Sequence, residues 1–344
     1  MKKLLVISIF LIYGSVSINA QPEKSMYSIV KTIHLPGNGG WDYLSIDEST
    51  GRLFISHGAV VQVVDTKTGE LVGTIPNTPG VHGIAFAPDL NKGFISVGKD
   101  TSVTVFNLKT LEFVARIKVT GNNPDAIMFD PFSQKVFTFN GRGSNSTVID
   151  AKTNNVVGTI PFEGKPEFAV SDEKGKIYVN IEDKSLISVI NATTLKVEQS
   201  WSIAPGEEPS GLALDKVTNR LFSVCSNKLI VIVDSQNGKI ITTLPIGDGC
   251  DGVKFDPEFK RVYASNGEGT LTIIQEEDAN TFNVLENFPT QGSARTLAVD
   301  IKTHHVFLPT AEYLPAPEPT KENPHPRRVN KPDTFVVLEI ASVK

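Results

Sequence analysis

The sequence predicts an all-β protein, a seven-bladed β-propeller with four-stranded blades, and three observations point to it. A unit returns seven times, opening at Asp42, His82, Asp125, Glu167, Ser210, Asp251 and Arg295. The steps between these anchors are 40, 43, 42, 43, 41 and 44 residues, the period of a four-stranded blade. An aromatic follows each anchor by twelve residues (Phe54, Phe94, Phe137, Phe222, Tyr263, Phe307), or by eleven at Tyr178. An aspartate follows it by five at Asp47, Asp130, Asp172, Asp215, Asp256 and Asp300, and only Ala87 breaks the series.

The fifth unit, EEPSGLALDKVTNRLFSVCSNKLIVIVDSQNGKIITTLPIGDG, shows each strand. Its apolar runs are 211–214, 221–225, 229–233 and 240–245. In the first run Leu212 and Leu214 alternate with smaller residues, as a strand against one core requires. Gly211, Gly252 and Ala126 are small, which lets the neighbouring sheet approach. The third run is apolar almost throughout, the pattern of a strand covered on both faces. Asp65, Asn107, Asp150, Asn191 and Asp234 end third strands, where their side chains can accept from the next turn's N–H groups. The seventh unit supplies a first strand at 295–299, a second at 305–308 and a late third at 334–340. Its fourth strand is missing, and residues 27–35 (YSIVKTIHL) are one strand too many at the start. The N-terminal strand is therefore expected to complete the last blade, leaving no open edge.

Residues 1–20 read as a signal peptide: Lys2 and Lys3, a short apolar run, then small residues to Ala20. That run is too short to span a bilayer, so a periplasmic or secreted protein without a membrane span is expected. A short lead (21–26) precedes one propeller domain (27–341) carrying a Pro-rich insertion at 311–333. Loss of Lys2 and Lys3 takes the net charge from −5 to −7, which opposes nucleic-acid binding. Two cysteines, Cys225 and Cys250, fall in adjacent blades on one face. In an exported chain they suggest a disulfide, with a pair of free thiols equally open.

The segments VFTFNG (136–141), IYVN (177–180), VYASNG (262–267) and VIDAKTNNVVGTI (148–160) resemble the YVTN-type, or YncE-like, β-propeller family along the whole mature chain. GWDYL (40–44), KPEFAV (165–170) and GSARTLAVD (292–300) suggest a narrower subgroup. The resemblance implies an exported seven-bladed propeller and brings no agreed activity. Single-stranded DNA binding, associated with YncE-like propellers, is the third functional reading; charge and the lack of stacking aromatics beyond Trp41 weigh against it.

Function has to be sought at a site. First strands line a propeller's channel, so the seven anchors ring one mouth, with the loops between second and third strands beside them. The expected ligand-binding set is Trp41, Asp42, His57, His82, Asp125, Asn140, Arg142, Glu167, Asn180, Asp251, Asn266 and Arg295. Clustered acids repel unless a cation or ligand compensates. The first reading is a binding protein, a monomer that takes a small polar ligand, a glycan fragment or a partner segment. The second is a metal-assisted lyase or hydrolase of a sugar or lactone. There Asp125, Glu167 and Asp251 would hold Ca²⁺ or Mg²⁺, His82 would act as acid or base, and Arg295 would clamp an anion; His82 as a ligand would admit a softer metal. The insertion joins the second and third strands of blade seven, so it emerges on this face as an expected flap, with His325, Arg327 and Arg328 in reach. His304 and His305, in a turn of the far face, are expected to be solvent-exposed.

Overall fold

The computed structural model describes residues 25–320, 326 and 329–343. The signal-peptide segment and His325, Arg327 and Arg328 lie outside them. Seven antiparallel four-stranded sheets form the ring. Blade one uses Trp41–Asp47, Arg52–His57, Val60–Asp65 and Leu71–Ile75, and the next five blades repeat that order. Blade seven is ordered Tyr27–His34, Val336–Ser342, His305–Thr310 and Ala298–Asp300. The N-terminal strand thus closes the last blade, pairing Tyr27 with Ser342 and His34 with Val336. The innermost strand there begins at Ala298, so Arg295 stands on the approach to it.

The repeat's two registers have separate structural jobs. All seven register aromatics are buried, with at most 2% of their surface exposed. Each fills the gap between neighbouring sheets; Phe222, for example, stacks on Phe255 of the next blade at 5.5 Å. The six register aspartates accept from backbone N–H groups of their own turns, as Asp256 does from Glu258 and Phe259. The residues ending the third strands do the same on their own turns. The small residues beside the anchors are there for contact: a Cβ on Gly211 would lie 3.0 Å from the Asp251 carbonyl oxygen and the Val253 nitrogen of the next blade.

One expectation needs correction, and one open alternative is decided. His304 and His305 are half-buried, because each finds a carboxylate: His304 Nδ1 lies 2.7 Å from Asp256 and its ring stacks on Phe259, while His305 Nδ1 lies 2.6 Å from Glu339. Cys225 and Cys250 are free thiols, buried, each directed at a main-chain carbonyl two residues away, of Ser223 and of Gly252. Burial pushes the Cys225 thiol up to about 12, which keeps it protonated and unreactive.

Candidate functional site

The anchors are held by clamps between blades. Each clamp is a hydroxyl or amide on one blade that donates to a main-chain carbonyl at the start of the next innermost strand. Thr296 donates to Asp42 (2.6 Å), Ser265 to Arg295 (2.6 Å), Asn180 to Ser210 (3.0 Å), Ser210 to Cys250 (3.1 Å) and Ser96 to Asp125. These bonds fix the ring's diameter where the side chains converge.

Five of the seven anchors then form one continuous polar chain. His82 Nδ1 lies 2.6 Å from Asp42 Oδ2 and 3.6 Å from Asp125 Oδ1. Arg295 reaches Asp251 at 3.1 Å and Asp42 at 3.9 Å, with 46% of its side chain still exposed. Glu167 pairs with Lys165 at 2.6 Å, and Lys165 also meets Glu182. Ser210 is engaged by its clamp.

Burial and crowding set the protonation. Burial pulls the His82 imidazole down, but the hydrogen bond to Asp42 and the charges of Asp125, Asp42 and Glu167 outweigh it and hold its pKa at about 8. Burial raises the Asp125 carboxyl to about 6; His82 opposes this, and Asp42 and Asp251 add to it. Burial and then the Asp125 charge push Glu167 up against the pull of Lys165. Asp251 is also raised by burial, with Arg295 opposing.

Asp42, His82 and Asp125 each offer one ligand atom, and the three atoms lie within 4.8 Å of one another. A tetrahedral ion with bonds of about 2.0–2.1 Å has donor atoms about 3.3 Å apart, a value the 2.6 and 3.6 Å separations bracket. Such a cluster can coordinate a metal ion. It shares only Asp125 with the trio expected from sequence: Glu167 and Asp251 stand outside it, each facing a cation of its own.

The remaining expected residues divide. Trp41 borders the mouth, half-buried between Phe335 (5.4 Å) and Tyr313 of the insertion (6.3 Å). Arg142 is exposed in its loop. His57, Asn140, Asn180 and Asn266 are buried in the scaffold. His57 bonds Gln62 (2.9 Å) and stacks on Phe335 (3.9 Å). Asn140 bridges Asn145 and Thr147, Asn180 clamps the next blade, and Asn266 donates to Thr270 and Thr272. A polar residue at the end of a second strand turns inward when a neighbouring strand offers a hydroxyl, an amide or a free carbonyl, so these four are part of the scaffold behind the mouth.

The base of the insertion is built onto the mouth. Leu314 N donates to Val329 O (2.9 Å), Lys331 N to Glu312 O (2.8 Å), and Asn330 Nδ2 reaches Gly39 O (2.6 Å).

Sequence reasoning missed Lys165, Tyr43, Phe168 and Lys254. One position past the anchor the other blades carry Gly83, Ala126, Gly211, Gly252 and Thr296, whereas blades one and four carry Tyr43 and Phe168. Their rings stack across the channel at 5.7 Å and 21°. Below them Lys254 stands where other blades have Ser45, Ala85, Met128, Val170, Ala213 and Ala298. Departure from the repeat was the available signal.

No family model matches the chain. It is 24% identical over 273 residues to the uncharacterized protein YncE of Salmonella typhimurium, covering 74% of this chain and 76% of that protein. It is 23% identical to Antigen Lp49 of Leptospira interrogans over 60% of this chain and 48% of that one. The uncharacterized protein YwhL of Bacillus subtilis is 31% identical over 46% of this chain and 33% of its own length. Among solved structures, the RRP9 WD40 repeats superpose with a TM-score of 0.75 at 8% identity, covering 90% of this chain and 97% of that one. Kuenenia stuttgartiensis hydrazine synthase superposes with a TM-score of 0.68 at 17% identity, over 80% of this chain and 94% of that one. The chain is a seven-bladed propeller distantly related to YncE-like proteins.

Proposed function

We propose that this is an exported binding propeller whose channel mouth holds a divalent metal on Asp42, His82 and Asp125 and uses it to capture a small polar ligand. The observation that carries the reading is the convergence of those three ligand atoms, from three consecutive blades, within 4.8 Å. A nitrogen donor moves the preference from Ca²⁺ or Mg²⁺ towards zinc. Three protein ligands leave positions for oxygen atoms of a hydroxylated or carboxylated ligand, which Arg295 can orient. Export rests on the composition of residues 1–20 and would put the protein in the periplasm or outside the cell. Among the described residues no helix is long and apolar enough to cross a membrane.

A second reading, metal-assisted hydrolysis or elimination on a sugar or lactone, is favoured by one feature. Glu167, its carboxyl raised by burial and by Asp125, would hold a proton near a metal-polarised oxygen as a general acid requires.

The test is calorimetric titration of the chelator-treated protein with Zn²⁺, Mn²⁺, Ca²⁺ and Mg²⁺, beside His82→Ala and Asp125→Asn. One equivalent of Zn²⁺ is expected, weakened by at least ~10-fold in either variant, since even a residue behind a ligand costs roughly 10–100-fold. Binding should tighten as pH rises through 8, because the metal must displace the His82 proton. Wild-type protein that takes up none of the four ions would overturn the metal site. Turnover of a sugar or lactone by the loaded protein would decide for the second reading.

A further inference from the structure

The Tyr43–Phe168 stack stands in the channel below the acidic mouth, and the cavity around it has a different chemistry. It measures about 370 Å³ and reaches Glu173 and Lys216 on turns of the far face. Its walls present polar and apolar surface in nearly equal parts, and the apolar part is built by Ile84, Phe86, Met128, Leu214 and Leu297 with the Tyr43 and Phe168 rings. The hydroxyls that line it are engaged: Ser45 donates to Ile84 O, Ser171 to Asp130 and Thr296 to Asp42 O. Lys216 is paired with Glu173 at 2.5 Å. Lys254 is not paired. Its ammonium sits 4.7 Å from the centroid of the Phe168 ring and has no hydrogen bond or ion pair among the described residues. Lys254 also lines an adjoining cavity of about 280 Å³, together with Leu44, Phe86 and Glu48.

An enclosed cation without a counter-charge is costly, and the ring offsets only part of the lost hydration. The acids of this wall are engaged elsewhere, Glu173 by Lys216 and Asp251 by Arg295, and none pairs with Lys254 among the described residues. We propose that the channel below the stack is a second ligand site, separate from the mouth, that takes a small organic monocarboxylate with an apolar body. The carboxylate sits on the Lys254 ammonium and the body packs on Phe168 and the aliphatic wall. Burial lowers the Lys254 amine to about 8, so it is still mainly a cation at neutral pH. One charge is all the site accommodates. Glu48 lines the adjoining cavity with one carboxylate oxygen buried and unbonded, and Asp251 stands at the upper end. The second carboxylate of a dianion would meet one of them.

The test is calorimetry with phenylacetate and isovalerate, against phenylacetamide as the neutral isostere and succinate as the dianion. Saturable binding of the monocarboxylates is expected, at least ~10-fold tighter than of the amide or succinate. It should be lost in Lys254→Met, retained in Lys254→Arg, and unchanged in His82→Ala, so that failure of the metal site and failure of this one are told apart. Equal binding of amide and acid to the wild-type protein overturns the proposal without needing any variant to fold. So does wild-type affinity in Lys254→Met, or no monocarboxylate binding at all.

Discussion

The two faces of the ring each carry a set of aspartates, and the sets behave oppositely. On the far face Asp47, Asp130, Asp172, Asp215, Asp256 and Asp300 recur at one register, and each is engaged by the backbone of its own turn. At the mouth Asp42, Asp125 and Asp251 share a register with Glu167, Ser210, His82 and Arg295, and they reach across blade boundaries to a histidine or an arginine. The difference teaches how to read a repeat. A residue that every blade keeps solves a problem every blade has, which is to satisfy a turn. A residue that changes from blade to blade is free to take part in something done once per molecule. Leaving those acids facing one another, with the pKa values of Asp125, Glu167 and Asp251 raised, is a cost in stability, and such costs gather at sites of function.

The comparison can be broken in three further ways. The largest effect is expected for Asp256→Ala, measured by denaturant unfolding. Asp256 is fully buried and accepts from Glu258 N, Phe259 N and the His304 ring, so its loss should cost about 3 kcal/mol. Asp125→Asn at the mouth should be neutral or stabilising without metal; an equal loss from both would erase the distinction between the faces.

An intermediate effect concerns pH. The folded-state pKa values of His82, Asp125 and Glu167 are all raised. A raised group contributes stability that is complete below its unfolded value and is lost as pH climbs through its folded value. All three therefore act in one direction between about pH 4 and 8. The metal-free protein should be on the order of 2 kcal/mol less stable at pH 8.5 than at pH 5, and Asp125→Asn/Glu167→Gln should flatten the curve. A stability that rises over that interval would contradict the protonation assigned to the mouth.

The smallest effect belongs to the exposed Lys216–Glu173 pair. Lys216→Ala should change unfolding free energy by no more than ~0.5 kcal/mol, and a larger change would mean that the far-face rim is coupled to the channel.

The fold was legible because blades repeat. Seven copies of one register average away local ambiguity, and the spare strand at 27–35 could be matched to the strand missing from blade seven by counting. The mouth was legible only as a ring of residue types. His57, Asn140, Asn180 and Asn266 look in sequence like Arg142, because a side chain that turns towards a neighbouring hydroxyl leaves no mark in the order of residues. The candidate metal ligands were drawn at Asp125, Glu167 and Asp251, which belong to blades three, four and six. Consecutive blades are the adjacent ones, so the tight cluster falls on blades one to three, and that adjacency could have been read from the anchor order. Tyr43, Phe168 and Lys254 sit between the core positions of their strands, where the repeat carries mostly small residues. They were conspicuous only against what the other blades carry there.

The closure of blade seven has a consequence for the order of events in making the protein. Tyr27–His34 is synthesised long before Val336–Ser342, yet the two strands are partners. The early segment is also keyed to blade six, where Tyr27 OH lies 3.1 Å from Tyr263 OH and accepts from Arg261 at 2.6 Å. Until that later strand is made it lacks its partner, and the locking contact joins residues widely separated in sequence, the slowest kind to form. The ring therefore cannot lock until Val336–Ser342 has joined a strand made long before it.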